Sequence, residues 1–301
     1  MTGYRSALAG AACLVVLGAG CSGCAKREEA APAAPDAGPP RVEPFYPEDF
    51  GFLLISRSIG YQDQVNRYVS AVLARAVMTE DGPHYRECAA VVVASNLVLT
   101  AAHCMCVPIG SQTLRFDGSQ CAKEANVRTF VRVLSNGNDQ GAWQEGEIAG
   151  TISVHPRFEL VLDTQGDVVS SRADLAAIRL EKPGVPEIPP VRLATKDAVD
   201  GELLSVAGYE YFPAIKSMFW YRRFTQEQVD TRVGDDRVLF GLMKFAGFKG
   251  DTGGPCLRET LKGQELVGIS QRGFGRTPTF TRIVPYREWV EEQIRLAGKR
   301  P

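Results

Sequence analysis

An all-β body of antiparallel strands, closed by one C-terminal helix, is what this sequence predicts. Three observations carry the prediction. Short runs of branched and aromatic residues recur with turn residues between them, only one segment has a helical period, and the body contains neither a second linker nor a repeat. Frequent short strands with no helices between them argue for a sandwich or a barrel rather than a parallel sheet.

The expected strands lie in YVSAVLARAV (68–77), CAAVVVASNLVLTAAH (88–103), VRTFVRVL (127–134), EIAGTISVH (147–155) and DLAAIRL (174–180). Further strands are expected in ELLSVAGYE (202–210), DRVLFGLMKF (236–245), ELVGIS (265–270) and TPTFTRIV (277–284). The helix is YREWVEEQIRLAG (286–298), with Trp289, Ile294 and Leu296 partly on one face and charges elsewhere. At 301 residues and 45% hydrophobic content the chain can bury a sizeable core.

The N-terminal part reads differently. Arg5 precedes an apolar run from Ala7 to Leu17, then the small residues GAG and Cys21, which is the pattern of an export signal over residues 1–20. The run is too short and too rich in small residues for a comfortable membrane span. Small residues directly before a cysteine resemble the bacterial lipoprotein signal, which makes Cys21 the candidate lipidation site. Residues 21–50 are rich in alanine and proline, a composition that cannot bury apolar surface and serves as a tether. The folded domain is assigned to residues 51–301.

A net charge of -1 and the absence of long basic runs give no electrostatic case for nucleic acid. In an exported chain cysteines can pair. Cys88 precedes and Cys104 follows an apolar strand, a turn at Ser95 and Asn96, and a returning strand, so these two are expected to form a disulfide. Cys106 and Cys121 can close a small loop, and Cys256 is expected as a buried thiol. No paired Cys-x-x-Cys clusters occur beyond the tether, so neither zinc nor another cofactor is expected.

Three segments need one explanation: LTAAHC ending at Cys104, DLAAIRL starting at Asp174, and GDTGGP starting at Gly250. Together, in this order, they resemble the trypsin and chymotrypsin family of serine peptidases. VHPRF, VAGYE and FTRIVPYREWVEEQI extend the resemblance from about Ile59 to the C-terminus. It implies two six-stranded antiparallel β-barrels with an active site in the crevice between them. By the same resemblance His103 is the general base, Asp174 its orienting partner and Thr252 the nucleophile, with the Gly250 and Thr252 amides as the oxyanion hole. His155 reads as structural, and Asp163 and Asp167 do not begin an apolar strand as Asp174 does.

The resemblance also gives Asp251 a role, pairing with an α-amino group released by proteolysis. SRSIGYQDQ makes Ile59 the candidate new N-terminus. Ala246 stands at the floor of the implied specificity pocket, which argues against selection of lysine or arginine and for a small or apolar side chain. Threonine stands where the family has serine, and its extra methyl restricts rotation and crowds the crevice. Two readings follow: a monomeric endopeptidase that cuts protein or peptide with a threonine nucleophile, and a silent pseudoprotease that grips peptide at the cell surface.

Overall fold

Branched and aromatic residues, which favour extended backbone, recur in short runs and give this chain its strands. In the computed structural model the described residues are 61–78, 84–110, 113–133, 142–183, 188–212, 217–232, 237–240, 249–271 and 278–299. The first strands are β1 (Tyr61–Gln62), β2 (Ala71–Met78), β3 (His84–Ala94), β4 (Leu97–Thr100), β5 (Leu114–Phe116) and β6 (Glu124–Val133). They are followed by β7 (Ala142–Val154), β8 (Glu159–Leu162), β9 (Val168–Arg172), β10 (Ala176–Leu180), β11 (Arg192–Leu193) and β12 (Leu203–Phe212). The remainder are β13 (Ser217–Arg232), β14 (Arg237–Phe240), β15 (Pro255–Thr260), β16 (Gly263–Ser270), β17 (Thr279–Arg282) and one helix, α1 (Arg287–Gly298).

Two barrels result. The first closes in the order β10-β4-β3-β2-β6-β7, every pair antiparallel. In the second, β13-β12-β15-β16-β17-β14 is closed by pairing of β13 with β14, and the short β1 and β11 add to its outside on β13 and β16. The expected fold class is therefore the one observed. A separate sheet, β5-β8-β9, is attached to the first barrel and leads directly into Asp174.

Each barrel fills its interior with small and branched side chains. Val72, Val91, Leu99, Val127 and Ile178 belong to the larger core, and Leu204, Val206, Val229, Val267 and Phe280 fill the second barrel. Leu73, Ala89 and Phe130 of the first barrel pack with Tyr209 of the second, so the two barrels share an apolar seam. Tyr209 spans that seam, its hydroxyl donating to the Ala71 carbonyl at 2.8 Å.

The turn expected at Ser95 and Asn96 joins β3 to β4. Asn96 Nδ2 donates to the Ala297 carbonyl at 2.5 Å and so caps the end of α1. The helix differs in detail from expectation: Val290 and Ala297 are the fully buried positions, while Trp289, Ile294 and Leu296 are half-buried. Val290, Ile294 and Ala297 follow the i, i+4, i+7 spacing of one helical face, which the bulkier Trp289 and Leu296 only flank.

Candidate active site

The short connection from β4 to β5 begins with a single 3-10 turn, Ala102–Cys104, which carries His103 into the buried interior. Two contacts hold that turn. The Cys88–Cys104 disulfide ties it back to β3, and the Arg86 guanidinium donates to the His103 carbonyl at 3.2 Å and the Cys106 carbonyl at 2.7 Å. A second disulfide, Cys106–Cys121, closes the loop that follows, and Cys256 is buried outside both. The edge of the His103 ring meets Phe116, with centroids 6.4 Å apart.

Asp174 lies just before β10 and is fully buried. Its Oδ1 accepts the His103 main-chain N–H at 2.8 Å, and its Oδ2 lies 2.6 Å from His103 Nδ1. Gln271 Nε2 donates to the same Oδ2 at 2.5 Å. Burial alone would push the Asp174 carboxyl up, but the charge of His103 and the hydrogen bonds from His103 and Gln271 outweigh it and hold the carboxyl below its ordinary value. A carboxylate so placed fixes the tautomer of the imidazole, with the proton on Nδ1 and Nε2 left to act.

The backbone before Asp174 is strained. Ala173 has φ +48°, a left-handed conformation for a residue with a Cβ. Its N–H donates to the Tyr286 hydroxyl at 3.0 Å, so the start of the C-terminal helix holds the turn that presents Asp174. Tyr286 and Trp289 in turn meet His155 edge-on, each with centroids 4.9 Å away. His155 is thus a structural residue in the wall behind the site.

His155 Nδ1 accepts the Arg157 N–H at 3.1 Å, an arrangement only the neutral ring with its proton on Nε2 can make. Burial first, and the nearby Arg157 charge second, push its pKa from 6.5 down to about 4. The unfolded chain therefore binds this proton before the folded one does. Stability from the neutral ring is complete above about pH 6.5 and drains as pH falls toward 4, by about 3 kcal/mol in all. Urea midpoints measured from pH 7 to 4 are expected to fall more steeply for the wild type than for His155→Gln.

Thr252 sits on the second barrel, in the turn between a 3-10 segment, Lys249–Asp251, and β15. Its carbonyl accepts the Ala89 N–H of β3 at 2.9 Å, and Ala89 adjoins Cys88, whose disulfide partner adjoins His103. One main-chain hydrogen bond and one disulfide thus connect the segments that carry the two expected active residues. Gly250, Asp251 and Thr252 are all buried, Asp251 completely. The Thr252 hydroxyl has no hydrogen-bond partner among the described residues, and His103 Nε2 lies 3.7 Å from Cys104 Sγ. Ile59, Ala246 and Cys21 lie outside the described residues.

Three residues of the site were missed in the sequence: Gln271, Ser171 and Thr279. Ser171 Oγ accepts from Gln271 Nε2 at 2.9 Å, and Thr279 Oγ1 donates to Gln271 Oε1 at 3.3 Å. The signal was present in GISQRGFG, where a long amide follows closely on the apolar run Leu266 to Ile269.

Two closed antiparallel barrels, with a buried His–Asp pair on one and a glycine-rich hydroxyl-bearing turn on the other, define the chymotrypsin-like class of double barrels. Residues 66–290, three quarters of the chain, match the Trypsin family, and the chain belongs to that family. A search of curated proteins returned no match.

Proposed function

We propose that the protein is a serine-type endopeptidase in which Thr252 replaces serine as the nucleophile. The observation that carries the reading is the His103–Asp174 pair, doubly hydrogen-bonded and buried. A protein that only binds peptide has no chemical use for a buried carboxylate behind a histidine. In the reaction, His103 Nε2 takes the proton from Thr252 Oγ1 as that oxygen bonds to the substrate carbonyl carbon. The Gly250 and Thr252 amides stabilise the oxyanion. Nε2 then returns the proton to the departing amine, the peptide C–N bond breaks, and water attacks the acyl-enzyme by the same route. Threonine nucleophiles at a chain terminus use their own amine as base, but Thr252 is internal, so His103 acts alone.

The substrate is a protein or peptide with a small or apolar side chain at the bond cut, by the reading of Ala246. The chain is exported by residues 1–20, anchored to the cell envelope through lipidated Cys21, tethered by residues 21–50 and cut before Ile59, whose new amino group pairs with Asp251. That cut would also release the domain from its anchor. The domain works as a monomer.

One observation favours a second reading. The Thr252 hydroxyl, buried and without a hydrogen bond among the described residues, is not engaged with its base, as a peptide-binding pseudoprotease would allow.

The test incubates purified protein of known N-terminus with a mixed protein substrate. Slow cleavage is expected from the wild type, none from His103→Ala, and cleavage about a hundredfold faster from Thr252→Ser, since ångström-scale misplacement of a reacting atom costs on that order. Active protein is expected to begin at Ile59; an active form that retains Ala30 to Pro40 removes the activation step. Cleavage by Thr252→Ser alone supports the binding module, and silence from both removes the enzyme reading.

A further inference from the structure

Arg86 is half-buried on β3, beside the turn that carries His103. Its Nη1 donates to the carbonyls of His103 at 3.2 Å and Cys106 at 2.7 Å, which uses both hydrogens of that nitrogen. Nε and Nη2 keep three more, and among the described residues these have no acceptor. Elsewhere in the chain that edge holds a carboxylate. Arg75, Arg128, Arg258 and Arg295 each turn Nε and Nη2 to one glutamate: Glu87, Glu145, Glu202 and Glu292 respectively. Glu87, next to Arg86 in the chain, points to the other face of the strand and is committed to Arg75. Burial lowers the Arg86 pKa from the ordinary arginine value, and no neighbouring anion opposes it. A half-buried cation without an anion is costly, and a neutral amide could hold two carbonyls without that cost.

We propose that the Nε and Nη2 edge of Arg86 is a carboxylate-binding site, which selects peptides with an aspartate or glutamate side chain close to the bond presented to His103. The proposal rests on the crevice as a peptide site, which the endopeptidase and the pseudoprotease readings share. Because Nη1 is pinned by two carbonyls, the guanidinium plane is fixed and its opposite edge is in place before a peptide arrives. A carboxylate meets such an edge with two parallel N–H···O bonds. Arg86 stands two residues before Cys88, whose neighbour Ala89 donates to the Thr252 carbonyl at 2.9 Å, so the site lies on the strand that joins the histidine turn to the hydroxyl-bearing turn. An ion pair formed there also offsets the uncompensated charge, a gain that a fully solvated arginine does not offer.

The test uses the full chain as Thr252→Ala, which holds peptides without cutting them, and a library of short random peptides amidated at the C-terminus so that only side chains carry carboxylates. Peptides retained on the immobilised protein are sequenced. Acidic residues are expected to be enriched about tenfold to a hundredfold, the worth of a hydrogen bond to a charged group. Adding Arg86→Gln, which keeps a donor for the carbonyls but lacks the charge, is expected to remove the enrichment while peptides are still retained. Adding Arg86→Glu is expected to turn the preference to lysine and arginine. Retained peptides with no acidic preference, or a preference that Arg86→Gln leaves unchanged, would overturn the proposal and leave the peptide crevice standing. No retained peptide at all would remove both. If neither Arg86 variant folds, 15N NMR of the parent decides: the Arg86 Nε–H signal is expected to shift with an acidic peptide from the library and not with its amide copy, and a signal that neither moves would overturn the proposal equally.

Discussion

Arg222→Met is expected to lower the stability of the folded chain by about 3 to 5 kcal/mol, read as a fall in the urea midpoint. Arg222 on β13 is fully buried, its Nε donating to the equally buried Asp63 at 2.8 Å. The other guanidinium nitrogens donate to the Phe130 carbonyl on β6 at 2.9 Å and to Asn66 Oδ1 at 3.1 Å. One side chain therefore ties together both barrels and the segment that follows Ile59. Asp63 also accepts the main-chain N–H groups of Arg67 and Tyr68, each at 2.9 Å. Removing Arg222 leaves a buried carboxylate without its cation. The double variant Asp63→Asn/Arg222→Met is expected to recover part of the loss, because the uncompensated charge is gone while one amide oxygen still serves the backbone donors. A loss under about 1 kcal/mol in the single variant would show that water reaches Asp63.

The same residue explains why β13, the longest strand, escaped the sequence reading. Arg222 on one face and Thr225 and Glu227 on the other are buried although polar, so the apolar alternation that marks a half-buried strand is absent. Strands β8 and β9 were missed for a related reason: they form a small sheet outside the barrels, and β9 exposes Val169 and Arg172. What was legible had local causes. The β3–β4 hairpin showed in its apolar run and its Ser95–Asn96 turn, and both cysteine pairs lie within sixteen residues of sequence. His103 and Asp174 were legible because each has a fixed local frame, a strand end or a strand start. Gln271 was not, since its meaning depends on a carboxylate 97 residues away that only the closed fold brings to it. Thr252 was readable as a position, whereas the state of its hydroxyl depends on packing that no motif encodes.

Gly253→Ala is expected to cost about 2 to 4 kcal/mol and to abolish whatever turnover the wild type has, whereas Gly263→Ala is expected to cost about 1 kcal/mol and leave turnover unchanged. Both glycines have positive φ, +81° and +100°, so an added Cβ strains the backbone at each. They differ in what the Cβ would meet. At Gly263, in the β15–β16 hairpin, nothing lies within 4 Å. At Gly253 the new carbon would fall 2.3 Å from Thr100 Oγ1 and 2.4 Å from the Ala89 carbonyl, so strand or turn must move. Neither can give way alone, because Thr100 Oγ1 donates to the Ala89 carbonyl at 2.8 Å and Gly253 N–H donates to the Ser270 carbonyl at 2.8 Å. Movement would therefore break the Ala89 N–H bond to the Thr252 carbonyl, which places the hydroxyl-bearing turn of one barrel against the histidine-bearing wall of the other. The difference between the two variants isolates that close approach from the backbone strain they share. Equal costs, measured by urea denaturation, would mean that the barrels are not pressed together at Gly253, and the main-chain link from Thr252 to His103 would lose its basis.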